Sequence, residues 1–331
     1  MKIVPDMPAT WKPIIVFFGL TFLLLALIPI LSMLTGATMD FGAAAARATE
    51  KTGVEQTSNL IVVLRLALAE PSLWLLILGS SVPSIAALVI CAWTQRPTVS
   101  LLLARFKPVG PGASSRQALF AYALLFVLIP ICLIAVYCLR SVIPGGAGYS
   151  HLEGTFGPAL LIGILTAAFL DQGGVLEELG WRGYAQSAVQ ANLATPLAAA
   201  VLIGVVWGFW HVPRDIAGGV IARLGLMQYL FMYLPAFIAG TVTTSIIAAY
   251  FMNRVGGSVL PAIMAHGLIN DAPGLSGLAN LSIALTPYHQ ATKCLPFLVL
   301  SIVLIALSGR QLGRAHPHPS MGIEILRSRS E

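Results

Sequence analysis

The sequence has little charge and lacks the cysteine spacing of a disulfide-bonded or cysteine-ligated protein. Only 10% of its 331 residues are charged and 57% are apolar, whereas roughly a quarter of the residues in a soluble domain are charged. The cysteines lie in or beside apolar runs without C-x-x-C spacing, at Cys91, Cys132, Cys138 and Cys294. The basic residues are scattered between apolar runs, so the net charge of +6 does not indicate a nucleic-acid partner. These shortages argue against a soluble protein and indicate a membrane protein.

The apolar residues are gathered into eight long runs. The runs are 13–34, 71–93, 118–139, 157–180, 196–212, 226–252, 257–275 and 292–309. Most of them approach the ~20 residues needed to cross the hydrocarbon core. The first exceeds the ~7–15 residues of the apolar region in a cleavable signal, so we expect it to stay in the protein. The sequence therefore predicts an all-α fold, a polytopic bundle of about eight transmembrane helices.

Lysine and arginine are distributed unequally between the two sides that eight spans would create. With both termini inside, the inner segments carry 12 of these residues and the outer segments carry 7. The positive-inside rule therefore predicts cytoplasmic termini, and we expect a bacterial inner (plasma) membrane, with membrane lipid around the helices. Residues 40–70 have mixed polarity and predict a surface or interfacial helix. Nothing in the sequence indicates an oligomeric state.

Two carboxylates and an arginine stand in or just beyond the fourth apolar run, where charge is costly and indicates a functional site. Successive helical residues point about 100° apart, so Glu177 and Glu178 cannot face one target. Glu178 and Arg182 are four residues apart and can form an ion pair on one helix face. We therefore predict a structural Glu178–Arg182 pair and a working Glu177. Asp171 shares roughly the face of Glu178, where it could extend this network, line a polar entrance or meet water.

Further polar residues stand in two later apolar runs. His211 ends the fifth run, and Pro213 prevents a regular helix from continuing two residues later. His266 and Asn270 are four residues apart and project from one helix face. A lone histidine on an apolar helix is more often structural. Three polar places in separate apolar runs instead favour a functional role for the histidines. We expect these residues and Glu177 to converge on one water molecule or one metal ion.

The order and spacing of these residues resemble the signatures of the CPBP family. These are the intramembrane proteases related to the type II CAAX prenyl endopeptidases, also called the Abi family. The matching motifs, within about residues 160–275, are Glu177-Glu178-x-x-x-Arg182, Trp207-x-x-x-His211 and His266-x-x-x-Asn270. Trp207 stands where phenylalanine is usual, and Asp271 follows Asn270. Neither difference removes a presumed catalytic group.

The resemblance implies a catalytic core at residues 156–275. Residues 1–155 would then hold the first three transmembrane helices with their loops, and residues 276–331 the last transmembrane helix and a cytoplasmic tail. The implied activity is hydrolysis of a peptide bond in a membrane-associated or lipidated protein, such as a prenylated CAAX protein. The implied catalytic residues are Glu177, His211, His266 and Asn270, with Glu178 and Arg182 in support.

Two versions of the chemistry stay open. In one, Glu177 activates a water molecule without a metal. In the other, a divalent metal such as Zn2+ is held by Glu177, His211 and His266 with an open fourth position, as is normal for catalytic zinc. In both, the Asn270 amide would orient the water or polarise the scissile carbonyl, since an amide is a poor zinc ligand.

Two other function classes compete with a protease. An ion- or proton-coupled transporter also uses intramembrane glutamate and histidine, although no paired halves of the inverted-repeat kind are visible. A non-catalytic Abi or immunity-type membrane protein would retain the site without using it, and the intact motif residues argue weakly against this.

Glu177 and His211 can share one site only if the fourth helix is long enough. Consecutive spans run in opposite directions, so Glu177 and His211, near the ends of the fourth and fifth runs, would lie on opposite sides of the membrane. At a rise of about 1.5 Å per residue, they share a depth only if the fourth helix continues to about Gln190. We therefore predict a long fourth helix with Glu177 in its middle. A helix ending at Gly183 would argue against a common site.

Overall fold

The computed structural model describes residues 11–95, 97–142, 158–193, 195–271 and 286–314, which are folded almost entirely into helices. These helices are α1 (Trp11–Thr35), α2 (Phe41–Thr52), α3 (Leu60–Ala69), α4 (Leu73–Thr94), α5 (Val99–Leu103), α6 (Ser115–Val142), α7 (Pro158–Leu170), α8 (Gln172–Glu178), α9 (Ser187–Asn192), α10 (Pro196–Trp210), α11 (Val212–Ala217), α12 (Val220–Leu224), α13 (Leu226–Gln228), α14 (Leu234–Arg254), α15 (Leu260–Asp271) and α16 (Pro287–Ser308). A π-helical segment, Leu179–Gln186, joins α8 to α9, and another, Tyr229–Tyr233, joins α13 to α14. No β-strand forms in the described ranges; an isolated bridge pairs Asn59 with Asp171.

The described part of the chain has six helical stretches that are long and apolar enough to cross a membrane. They are Trp11–Thr35, Leu73–Thr94, Ser115–Val142, Pro196–Ala217, Leu226–Arg254 and Pro287–Gln311. Shorter apolar helices represent the runs expected at 157–180 and 257–275. The predicted all-α transmembrane bundle is thus confirmed, with a span count roughly as expected. The proposed domain boundaries at 155/156 and 275/276, and the tail beyond residue 314, lie outside the described residues.

The outer surface of the bundle is strongly apolar. Leu34 is 80% exposed, Leu119 is 71% exposed and Leu307 is 78% exposed. Soluble monomers rarely expose contiguous apolar patches of more than a few hundred Å², so these side chains are suited to contact lipid. The charged residues of the expected site are instead buried between helices.

The fourth predicted helix is long but interrupted. Asp171 adopts an extended conformation with ψ 129° and caps a new helix, accepting a hydrogen bond from the Gly174 N–H. From Gln172 the helix continues through the π-helical segment to Asn192, as the common-site argument required. The prediction that Glu177 lies in the middle of this helix is wrong. The helix breaks at Asp171 and a new helix begins at Gln172, so Glu177 lies near its start.

Glycines allow the helices around the site to approach closely. A Cβ atom on Gly180 would overlap the backbone of Pro83 in α4, and one on Gly267 would overlap the carbonyl oxygen of Ala167 in α7. Small residues at such contacts are characteristic of helix packing in membranes. They bring α4 against the helix that carries the two glutamates, and α15 against α7.

Residues 40–70 form two helices rather than the one surface helix expected. Asp40 and Asn59 cap the starts of α2 and α3 with side-chain hydrogen bonds, and each such cap interrupts continuous helix. Arg47 and Lys51 of α2 bind Glu70, at the end of α3, at 3.1 Å each. We call α2, α3 and their ion pairs the α2–α3 hairpin.

Candidate active site

Glu178 lies at the centre of a buried charged cluster. Its Oε1 atom is 3.3 Å from Nη1 of Arg182 and 2.8 Å from Nδ1 of His266. The side chains of Glu178 and Arg182 are fully buried. The predicted ion pair between them is therefore confirmed. His266, however, hydrogen-bonds to Glu178, whereas the sequence argument assigned Glu178 to Arg182 alone.

Glu177 faces a different neighbour, as the 100° separation of adjacent helical residues requires. Its Oε2 accepts a hydrogen bond of 2.9 Å from the indole nitrogen of Trp207 in α10. Its other oxygen, Oε1, has no hydrogen-bond partner among the described residues, and the side chain lines a cavity. One oxygen of Glu177 is thus fixed while the other is available to a molecule in the cavity.

His211, at the end of α10, is held in one tautomer. Its Nδ1 lies 2.8 Å from the carbonyl oxygen of Trp207. Because a carbonyl only accepts hydrogen bonds, Nδ1 carries a proton, and Nε2 of the neutral ring keeps its lone pair. The same reasoning applies to His266, whose Nδ1 donates to the Glu178 carboxylate. Both imidazoles therefore retain Nε2 for chemistry.

Trp207 contacts one of the two glutamates, the buried arginine and both histidines of the site. Besides its bond to Glu177, its ring lies 4.6 Å from the Arg182 guanidinium carbon, a cation–π contact. The ring centroid is 5.0 Å from that of His266 and 5.7 Å from that of His211. The motif predicts only an aromatic ring at Trp207; it does not predict the indole N–H that donates to Glu177, which a phenylalanine would lack.

Two cavities meet at Glu177. The polar cavity, of about 150 Å³, is lined among others by His266, Gln290, Lys293 and three threonines at positions 241, 243 and 244. The apolar cavity, of about 200 Å³, is lined among others by Leu25, Ile28, Pro29, Phe41, Leu75 and Leu76. The residues shared by both cavities are Glu177, His211, Arg214 and Asn270. The junction therefore holds three of the four expected catalytic residues, and His266 faces the polar cavity.

Asn270 lies one helical turn after His266 and is exposed where the two cavities join. The i,i+4 spacing thus keeps both residues on the site side of α15, as expected. The shared position of Asn270 leaves its amide accessible to a bound molecule.

Asp171 is a structural residue at the edge of the site. Its side chain is completely buried and accepts a 2.6 Å hydrogen bond from the Ser58 hydroxyl. The N–H of Gln172 donates to the Ser58 carbonyl oxygen at 2.7 Å. Asp171 therefore starts the glutamate-bearing helix and ties it to the segment before α3. Helix capping is not one of the three roles that the sequence suggests for Asp171, although aspartate is a preferred residue at the start of a helix.

The side chains as placed do not form a metal-binding set. Within the ranges that the structure describes, no group of three or more histidine, cysteine, aspartate or glutamate side chains is arranged to hold an ion. One oxygen of Glu177 is occupied by Trp207, and His266 is drawn toward Glu178. We derive no catalytic step through a metal, and zinc binding by Glu177, His211 and His266 stays a prediction.

Sequence reasoning also missed two cations of the polar cavity. Arg214 and Lys293 lie on different helices, 79 positions apart, and no motif connects them. Only the three-dimensional structure shows that both side chains line the same cavity. No local sequence signal could have indicated this.

The fold and site define a class: a polytopic membrane protein whose helices enclose a glutamate, histidine and asparagine site between two cavities. The family described as type II CAAX prenyl endopeptidase Rce1-like matches residues 156–271. A stretch of 188 residues is 27% identical to CAAX prenyl protease 2 of Methanococcus maripaludis, covering 55% of this chain and 62% of that relative. Together with the motifs, these comparisons show that the chain is similar to the type II CAAX prenyl endopeptidases over the region that carries the site, and that the match spans less than two thirds of that relative's length.

Proposed function

We propose that the protein is an intramembrane endopeptidase that hydrolyses a peptide bond in a membrane-associated, prenylated (CAAX-type) protein. The observation that carries the proposal is the junction at Glu177. Its Oε1 has no hydrogen-bond partner among the described residues, and it shares both cavities with His211 and Asn270. A carboxylate with one fixed and one available oxygen is suited to act as a general base.

Glu177 would bind the attacking water through Oε1. It takes a proton from this water as the oxygen attacks the scissile carbonyl carbon, giving a tetrahedral intermediate. When the carbon–nitrogen bond breaks, Glu177 returns the proton to the leaving amine. The products are a new carboxylate and a new amine, so one water molecule is consumed. His211 would accept a hydrogen bond from the same water at Nε2 and hold it in line.

Hydrogen-bond donors must stabilise the negative charge on the oxygen of the tetrahedral intermediate, and this stabilisation accounts for much of the rate enhancement in acyl transfer. The Asn270 amide is accessible at the junction and can donate. His266 can also donate from Nε2 once it is protonated, because the Glu178 carboxylate stabilises the positive ring through Nδ1. Glu178 and Arg182 would thus support the reaction without touching the substrate.

The apolar cavity is suited to the lipidated side of the substrate. Its lining comes from α1, α2 and α4, with leucine, isoleucine and proline side chains, and burial of each CH₂ contributes about 0.8 kcal/mol. We propose that the isoprenoid or an apolar segment enters here from the surrounding membrane lipid. The proposed setting is a bacterial inner membrane with cytoplasmic termini.

The test uses purified protein in liposomes with a farnesylated peptide that ends in a free carboxylate. Product masses identify the bond cleaved, and reaction in ¹⁸O water labels the new carboxylate. We expect cleavage by the native protein, loss of at least about 100-fold in Glu177→Gln, and no loss in Glu50→Gln, whose side chain is exposed on α2. The same reaction with a metal chelator tests whether cleavage depends on a bound divalent metal. Equal cleavage by Glu177→Gln would contradict the proposal, as would ion flux that depends on Glu177 without any cleavage.

A further inference from the structure

The polar cavity is lined by two cationic side chains, of which Arg214 also lines the apolar cavity and Lys293 does not. Arg214 from α11 and Lys293 from α16 both line it, and Glu177 is the single acidic residue in the described lining. The lining also includes the three threonines and Gln290, together with the aromatic rings of Phe237 and Phe297. Because the threonine hydroxyls donate to backbone carbonyl oxygens, they offer a ligand their oxygens as acceptors. The described lining thus combines these acceptors with two cations and contains no carboxylate apart from the proposed base.

Lys293 forms no salt bridge with a described residue, and Asp171 attracts it only from beyond ion-pair distance. No hydrogen bond or ion pair joins its ammonium group to another described residue, although the side chain is half-buried within a spanning helix. Arg214 differs, since it lies 2.8 Å from Asp215 and is fixed over the ring of Phe237 at 5.3 Å. A lysine inside a membrane protein is costly unless it is paired. Its position on the cavity wall points to an anion that enters the cavity.

We propose that Lys293, which lines the same cavity as Arg214, binds the C-terminal carboxylate of the peptide substrate. This inference rests on the proposed function. The lipidated part of the substrate would occupy the apolar cavity, the scissile bond would lie at Glu177, and the residues after it would occupy the polar cavity. A cavity of about 150 Å³ is small, so the peptide released into it would be short. The enzyme would therefore select bonds near a free chain end.

The threonines and Lys293 would bind different parts of the leaving peptide. Threonine hydroxyls can bind the backbone of the leaving residues, while Lys293 supplies the point charge that a carboxylate requires. Binding at the chain end also fixes how many residues separate that end from Glu177, because an extended chain advances about 3.3–3.6 Å per residue. Lys293 is thus proposed as a specificity-determining residue rather than a catalytic one.

The experiment compares two farnesylated peptides that differ only at the last group, a free carboxylate or a carboxamide. For the native protein we expect kcat/KM to be at least about tenfold higher for the acid, mostly through KM. In Lys293→Met this ratio should fall close to one, and Lys293→Arg should restore part of it. Arg116→Gln removes an exposed cation at the start of α6 and should keep the native ratio. A native ratio near one, or an unchanged ratio in Lys293→Met, would overturn the proposal.

A binding measurement separates this proposal from the proposed function. Peptide dissociation constants are measured for Glu177→Gln, with and without Lys293→Met, using both peptides in neutral and in anionic vesicles. A Lys293-dependent preference for the acid supports the proposal even if the native protein cleaves neither peptide, in which case only the proposed function fails. A preference that follows vesicle charge instead of the peptide end would assign Lys293 to lipid phosphate and overturn the carboxylate proposal.

Discussion

Nδ1 of His266 donates a 2.8 Å hydrogen bond to Oε1 of Glu178, across 88 positions of sequence. This contact joins α15 to the glutamate-bearing helix and fixes one tautomer of the imidazole. The two adjacent glutamates therefore have different roles: Glu178 positions His266, whereas Glu177 keeps one oxygen available to a bound molecule. The pairing resembles the carboxylate–histidine arrangement in which an acid orients a base without reacting.

The first prediction concerns Glu178→Leu, which leaves the buried Arg182 charge without its partner. Removing one member of a buried ion pair typically destabilises a protein by about 3–5 kcal/mol. We expect a lower unfolding temperature in detergent and strongly reduced cleavage.

The double variant Glu178→Leu with Arg182→Leu distinguishes packing from positioning. Because an apolar pair can replace a buried ion pair with little loss, most of the stability should return. Cleavage should stay low, since His266 still lacks its acceptor. Recovery of kcat/KM together with stability would show that Glu178 has no positioning role.

Sequence alone predicted the parts of this site that depend on local spacing. The Glu178–Arg182 pair follows from four-residue helical periodicity, and His266 and Asn270 share a face for the same reason. The His266–Glu178 contact could not be predicted, because it depends on how α15 packs against α8. Nor could the presence of Lys293 in the polar cavity, which depends on the path of α16. Long-range packing, rather than any sequence pattern, determines these contacts.

The second prediction concerns the hydrogen bond from Trp207 to Glu177. Trp207→Phe keeps an aromatic ring beside Arg182 but removes the only N–H of the side chain. We expect kcat/KM to fall about tenfold, since loss of a hydrogen bond to a charged group costs about 1.5–3 kcal/mol. The matched control is Trp181→Phe, because the buried indole nitrogen of Trp181 has no partner in the described residues. Equal effects of the two changes on kcat/KM would contradict the role given to Trp207.

The third prediction concerns Asp171 as the cap of the glutamate-bearing helix. Asp171→Ala removes the hydrogen bonds to Gly174 and Ser58. Loss of a cap costs about 0.5–2 kcal/mol, and the start of the helix that carries Glu177 should loosen. Asp40→Ala removes a similar cap from α2, away from the site. Both variants should unfold at lower temperature, but only Asp171→Ala should lose activity; equal activity would show that the cap does not position Glu177.

The fourth prediction concerns pH and the α2–α3 hairpin. Hydrogen bonds from Arg47 and Lys51 lower the pKa of Glu70 from 4.5 to about 2. The ionised carboxylate therefore stabilises the folded protein fully above about pH 4.5, and this contribution is lost as the pH falls toward about 2. Arg47 and Lys51 are half-exposed, so salt should weaken the effect.

The measurement is the difference in unfolding temperature between the native protein and Glu70→Gln across this pH range. The difference should be largest near neutral pH and shrink as the pH is lowered. Glu50→Gln, on the exposed face of α2, should show no comparable difference. If the difference in unfolding temperature stays constant down to about pH 2, the stabilisation does not come from ionisation of Glu70.

The fifth prediction concerns the contact between α7 and α15. A methyl group on Gly267 would overlap the carbonyl oxygen of Ala167, whereas one on Gly163 of α7 would meet nothing within 4 Å. Gly267→Ala should therefore push α15 outward, at a cost of about 1–3 kcal/mol. Because His266 precedes Gly267 directly, its bond to Glu178 should lengthen, and cleavage should fall more than stability alone explains. Gly163→Ala should leave both unfolding temperature and kcat/KM close to native, since its new methyl group has open space. If Gly267→Ala lowers stability but keeps native kcat/KM at a temperature where it is folded, then the close approach of these helices is needed only for packing.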